Sequence, residues 1–162
     1  TPGSWVVGIT RANSAGQAGG ISGGGAICEG GAAASEERLD GRYRAWLSDG
    51  TISPQSRFTK ASQPYVLVDG SRVAGSYAEL VTIHPEVAIT GDENGNIVAF
   101  ERPVWTGTAA DGNAASGATC DGWTSDAGRG VIGLPYFIGG GLWTDSQEID
   151  CARPAHLYCF EQ

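Results

Sequence analysis

No stretch of this 162-residue sequence approaches the ~20 consecutive apolar residues of a membrane-spanning helix. The most apolar loop-like stretch, 130–140, is broken by glycine and proline. Basic residues are few, 10 against 18 acidic ones, for a net charge of −8. That field repels polyanions, which argues against nucleic acid or heparin-like chains as partners. Arg38, Arg42, Arg44, Arg57 and Lys60 are spaced out along the chain and read as dispersed charge. No Cys-x-x-Cys pair occurs, so the usual zinc and thioredoxin spacings are missing. His-Glu-x-x-His and phosphate-loop patterns are missing as well, and the expectation is a protein that is not an enzyme. The two histidines, His84 and His156, fit no metal-ligand spacing and are expected at the surface or hydrogen-bonded. The chain opens at Thr1 with no signal peptide in view, which reads as a processed or excised end.

Four cysteines, Cys28, Cys120, Cys151 and Cys159, are scattered and even in number. They read as two disulfides and imply an extracellular or cell-surface location. Four cysteines alone leave three pairings open. Glycine is abundant, at 26 residues, but has no three-residue period, so a collagen helix is excluded. The length suits one domain over residues 1–162.

Trp5–Thr10 is apolar and β-branched and predicts a strand. A Gly/Ser/Asn-rich loop follows to about Gly25, then a glycine-weakened helix over Ala26–Leu39. Arg42–Leu47 alternates, with Arg42, Arg44 and Trp46 on one face and Tyr43, Ala45 and Leu47 on the other, and predicts a strand. Pro64–Asp69 predicts a short strand closed by Asp69-Gly70, and Ser76–Val81 a short helix with Ser76 as cap and Glu79 three residues on. Val87–Thr90 and Ile97–Phe100 flank Asn94-Gly95, a hairpin signal. Val104–Thr106 and Leu157–Glu161 predict two more strands. Residues 107–150 read as a long irregular region stapled by cysteines. The sum is an α+β fold of antiparallel sheets with one or two short helices.

The order of motifs resembles a known family. Ala26-Ile27-Cys28 followed by Gly41-Arg42-Tyr43-Arg44-Ala45-Trp46-Leu47-Ser48 looks like the opening of the endostatin domain of collagens. Pro64–Val68 with Asp69-Gly70, Ser76–Leu80, Val104–Gly107, Cys120 with Trp123, Gly139–Leu142, Cys151 and Leu157–Glu161 extend the similarity over about residues 4–162. The ending is similar to bacterial endostatin-like secreted proteins and lipoproteins, surface adhesins among them. The resemblance implies a C-type-lectin-like fold and nested disulfides, Cys28–Cys159 around Cys120–Cys151. Animal endostatin is basic and binds heparin and zinc. This chain lacks the arginine-rich face and the N-terminal histidines, so neither activity is carried over.

The function the resemblance implies is an extracellular binding module, adhesin or lectin-like. It would recognise a protein or glycan through the loop region 107–150. The alternative is a structural subunit that self-assembles into an extracellular fibre or surface layer. Asp126, Arg129, Tyr136 and Trp143 are the candidate ligand contacts, although Trp143, like Trp105 and Trp123, also suits a core position. Trp143-Thr144-Asp145 resembles the Trp-Asn-Asp calcium motif of sugar-binding C-type lectins, with threonine in place of asparagine. Asp145, Glu148 and Asp150 are the candidate calcium ligands; no cofactor is otherwise expected. Residues 92–96 offer oxygens at alternate positions, but without the rest of an EF-hand loop they read better as a hairpin turn.

Overall fold

The computed structural model describes residues 3–37, 39–98 and 102–162. It is an α+β structure with two sheets. The strands are β1 (Trp5–Ile9), β2 (Tyr43–Ala45), β3 (Tyr65–Val66), β4 (Arg72–Ala74), β5 (Val104–Trp105), β6 (Arg129–Gly133), β7 (Gln147–Asp150) and β8 (Tyr158–Glu161). The larger sheet has the order β2-β8-β1-β3-β4, and the smaller one β5-β6-β7. β1 runs antiparallel to β8 and β8 antiparallel to β2. The expectation of purely antiparallel sheets is corrected at one place. β1 and β3 pair in parallel, with Trp5 opposite Tyr65 and Val6 opposite Val66. A parallel pair needs a long crossover, and the chain between these strands supplies one that includes helix α1 (Gly20–Ala33).

Helix α1 starts and ends six residues before the predicted segment. Its six glycines weaken a helix by propensity, which is why the run 19–25 reads as a loop. Packing reverses that preference. A Cβ on Gly24 would lie 2.7 Å from Leu47 Cδ1 and 3.3 Å from Ala45 Cβ, so the bare backbone lets α1 lie directly on β2. A short helix α2 (Pro54–Arg57) was not anticipated, although its signal is local. Ser53 caps it and Pro54 sits at the first helical position. Helix α3 (Tyr77–Thr82) carries its predicted cap, with Ser76 Oγ accepting from Glu79 N at 3.1 Å.

The segment 107–150 is less irregular than predicted. It contains β6 and β7, which pair antiparallel, and β6 also pairs with β5. The predicted hairpin at 87–100 is reduced to a bridge between Gly91 and Ile97, and no strand forms over Val87–Thr90. Residues 99 and 100 of its second arm lie outside the described residues.

Alternation along the strands gives the large sheet a core on each face. On one face Trp46, Tyr65, Trp143, Tyr158 and Phe160 pack with Val7 and Ile9. Trp46 lies 5.2 Å from Trp143 and 5.3 Å from Phe160, centroid to centroid. On the other face Tyr43, Ala45 and Leu47 meet α1, and the cluster continues to Trp105, Trp123 and Ile132. Rings of this size each bury about 150–250 Å², worth roughly 4–6 kcal/mol at 25 cal/mol per Å². Cys28 bonds Cys159, tying α1 to β8, and Cys120 bonds Cys151, tying the stretch before β6 to the end of β7. These are the pairs that the resemblance implies.

Candidate functional site

The Cys120–Cys151 bridge holds an unusual piece of backbone. Cys120, Asp121, Gly122 and Trp123 all have positive φ, between 51° and 68°, and form one left-handed helical turn. Three of the four carry side chains, and each costs on the order of 1–2 kcal/mol in this conformation. The surroundings hold it in place. Thr119 Oγ1 accepts from Gly122 N at 3.2 Å, and the Trp123 indole donates to Ser48 O at 2.8 Å. Gly16 and Gly130 leave the room that Cys120 Sγ occupies; a Cβ on them would lie 2.2 and 2.6 Å from it. This turn and the small sheet form the base from which the exposed loops project.

Arg129 stands at the start of β6. Its guanidinium donates to Glu148 O at 2.7 Å and to Asp150 Oδ1 at 3.2 Å, and lies 3.8 Å from Glu148 Oε1. Glu148 Oε2 in turn accepts from Ala118 N at 2.7 Å. The three side chains brace β6 against β7. The calcium expectation is therefore corrected. Glu148 and Asp150 face Arg129, Asp145 stands apart and exposed, and no group of three or more potential metal ligands exists among the described residues. Residues 92–96 do form a turn, with Asp92 Oδ1 accepting from Asn94 N and Asn96 N at 2.9 Å each.

Trp143 is also corrected as a ligand contact. It is 1% exposed and sits in the aromatic core, so its ring is not available for stacking on a ligand. Trp105 and Trp123 are buried too. Asp126 is exposed in the turn before β6. Tyr136 and Phe137 are exposed at 37% and 45%, with Leu142 at 40% on the same loop. Leu134 N donates to Leu142 O at 3.0 Å and closes that loop at its base. Tyr136 Oη donates to Val98 O at 3.2 Å, which draws the loop against the segment bearing the exposed Ile97. The loop thus carries three exposed large apolar side chains and is tied down at Leu134–Leu142 and at Tyr136–Val98.

The basic residues are less dispersed than the sequence implies. Arg42, Arg44 and Arg57 line one cleft of about 420 Å³, together with the carboxylate of Glu29. Arg44 also donates to Arg57 O. Burial, and then the neighbouring charge of Arg44, lowers the pKa of Arg57. Such a cleft can hold a small anion. Sequence reasoning had part of the signal, because Arg42 and Arg44 alternate onto one face; the approach of Arg57 from α2 is non-local.

One Gly-x-Ser-x-Gly spacing exists, at Gly20-Ile21-Ser22-Gly23-Gly24. It lies inside α1 and not on a strand-to-helix turn, and no hydrogen bond joins Ser22 to a histidine among the described residues. All four cysteines are in disulfides. His84 is exposed, as expected. His156 is instead buried, with only one ring nitrogen partnered. No helix among the described residues is long and apolar enough to cross a membrane. No protein-family model matches this chain, and no curated protein sequence matches it. Fold and disulfides define the class: an α+β protein with two intrachain bridges, of the kind that persists in oxidising compartments.

Proposed function

We propose that the protein is an extracellular binding module with a C-type-lectin-like, endostatin-like architecture, and that it recognises a protein or glycan partner through the loop face 134–142. The observation that carries this reading is the exposure of Tyr136, Phe137 and Leu142 on a loop closed at its base by the Leu134–Leu142 hydrogen bond. Aromatic side chains lose little conformational entropy on binding and dominate interface energies when a partner desolvates them. The bridges and the small sheet hold the loop in place, so binding would order little else. Two nested disulfides and the pairing of β1 with β8 support the architecture. The absence of free thiols favours a binder over a thiol catalyst.

The test is a screen of immobilised extracellular-matrix proteins and a glycan array with the intact protein. The hits are then measured against a Tyr136→Ala/Phe137→Ala double variant. The expected result is at least a tenfold loss of affinity, about 1.4 kcal/mol or more. Unchanged affinity would remove this face as the binding surface. Sedimentation of both proteins tests the structural-subunit alternative: self-association that the double variant abolishes would make the face an assembly contact.

A further inference from the structure

A second cleft, of about 350 Å³, lies between the segment after β1 and the 92–98 turn. Arg11, Asn13, Asp92, Asn96, Arg102 and His156 contribute its polar lining. Its size falls at the small end of ligand sites, which run from about 300 to 1,000 Å³.

His156 is the informative residue. It is 4% exposed. Its Nδ1 lies 2.7 Å from Thr10 O and 3.1 Å from Ala12 O. Both neighbours are acceptors, so Nδ1 carries the proton and donates. In the neutral ring Nε2 is then a bare lone pair. That atom is buried and has no hydrogen-bond partner among the described residues. A buried acceptor left unpaired is unfavourable, and His156 lines the cleft, so a ligand hydroxyl that displaces the atoms covering Nε2 removes the penalty. Burial lowers the ring's pKa and favours this neutral form, outweighing the hydrogen bonds to Thr10 O and Ala12 O; the charge of Arg102 acts with burial and that of Glu93 against it.

The rim supplies the complementary charge. Arg11 and Arg102 are exposed, and neither guanidinium has an ion-pair partner among the described residues. The side-chain amides of Asn13 and Asn96 likewise have no hydrogen-bond partner among the described residues. Asp92 sets a limit on the ligand. Asp92 lines the cleft, buried and with Oδ1 accepting from Asn94 N and Asn96 N, and Glu93 Oε2 accepts from Arg11 N at 3.0 Å, so a densely charged polyanion is repelled while a single acidic group beside hydroxyls is accepted.

We propose that this cleft binds a hydroxylated carboxylate of the uronic-acid type, its carboxylate between Arg11 and Arg102 and one hydroxyl donating to His156 Nε2. The site extends the binding-module reading to a cleft that adjoins the 134–142 loop at Val98. The ligand chemistry has two sources, a uronic acid unit at the end of a glycan or the free acid.

The intact protein is titrated with glucuronate, and the side-chain ¹⁵N signals of His156 are followed by NMR. Glucuronate is expected to shift the Nε2 signal. Glucose, which lacks the acid, and cyclohexanecarboxylate, which lacks the hydroxyls, are each expected to bind at least tenfold more weakly. The Arg11→Gln/Arg102→Gln variant is expected to lose at least tenfold in affinity while its amide spectrum stays that of a folded protein. A glucuronate-terminated oligosaccharide that binds as well as the free acid supports the site and makes a glycan the source. An oligosaccharide that fails where the free acid binds supports the site and makes the free acid the source. No shift of Nε2 with glucuronate overturns the proposal, as does equal binding of glucose or an arginine variant that binds normally. All readouts are at the cleft, so this failure is distinguishable from a failure of the aromatic face.

Discussion

The Trp46 indole donates its Nε1–H to Thr144 Oγ1 at 2.6 Å, joining two fully buried residues that are 98 positions apart. Thr144 Oγ1 donates onward to Thr108 O at 2.8 Å, and Thr144 O receives the hydroxyl of Thr106. Ser48 and Thr108 share a further hydroxyl contact at 2.8 Å. This buried chain couples the end of β2 to the strand before the loops and to the approach to β7. Thr144 is the residue that departs from the calcium motif, and its oxygens serve the core.

Thr144→Val keeps the shape and removes the hydroxyl. It leaves the Trp46 N–H buried without an acceptor, and Thr108 O without that donor. The expected cost is about 2–3 kcal/mol, from the range of about 1–3 for a buried group left unpaired. Urea unfolding followed by tryptophan fluorescence measures it, and a loss below about 0.5 kcal/mol would mean that water reaches the indole.

Glycine substitutions should split by position. A Cβ on Gly133 would fall 1.9 Å from Trp143 O and 2.7 Å from Thr144 Cα, both backbone atoms that cannot rotate away. Gly133→Ala is expected to cost about 3 kcal/mol or more. Gly30 lies in α1 with nothing within 4 Å of its added Cβ. Gly30→Ala is expected to stabilise by about 0.5–1 kcal/mol. Thermal melts of the two variants should move in opposite directions.

The bridges close loops of different length, 131 and 31 residues. Chain entropy assigns about 5 kcal/mol to Cys28–Cys159 and about 4 kcal/mol to Cys120–Cys151. Cys120→Ala/Cys151→Ala should cost more than entropy alone, because the bridge also holds the left-handed turn. Loss of near-ultraviolet tryptophan dichroism at denaturant concentrations that leave the Cys28→Ala/Cys159→Ala protein folded is the sign to look for.

His156 makes stability depend on pH. Burial lowers its pKa in the folded protein below the ordinary 6.5. Between those two values the unfolded chain binds more protons. The contribution is therefore complete above about pH 6.5 and is lost as pH falls toward the folded value. His156→Gln keeps a donor for Thr10 O and removes the titration. Urea titrations from about pH 8 to about pH 5 should show a shallower loss of stability in the variant than in the parent. Identical slopes would refute the assignment.

Local chemistry was legible in the sequence. Ser76 announced the α3 cap, the Asp92–Asn96 stretch a turn, and the alternation from Arg42 to Leu47 a strand, whose core is β2. Elements set by distant packing were not. Within Gly20–Gly25, Gly24 lies on Leu47 and Ala45, which need a bare backbone against them, and no propensity records that. β6 reads as a loop because Gly130 and Gly133 interrupt it, yet those glycines admit Cys120 Sγ and Trp143 O. The bracing role of Arg129 was not legible because its carboxylate partners on β7 are about twenty residues away. The clefts at Arg57 and His156 gather residues from opposite ends of the sequence, so no local pattern could signal them.

The order of strands in the large sheet has a consequence for how the chain is made. β8 lies between β2 and β1, and it carries the Cys159 that completes the long bridge. Until Tyr158–Glu161 has left the ribosome, β2 has no neighbour, β1 lacks one of its two, and the aromatic core lacks Tyr158 and Phe160. Assembly of the large sheet therefore waits for β8. One strand thus both closes the sheet and brings Cys159 to Cys28, so that closing the sheet and sealing it become one event.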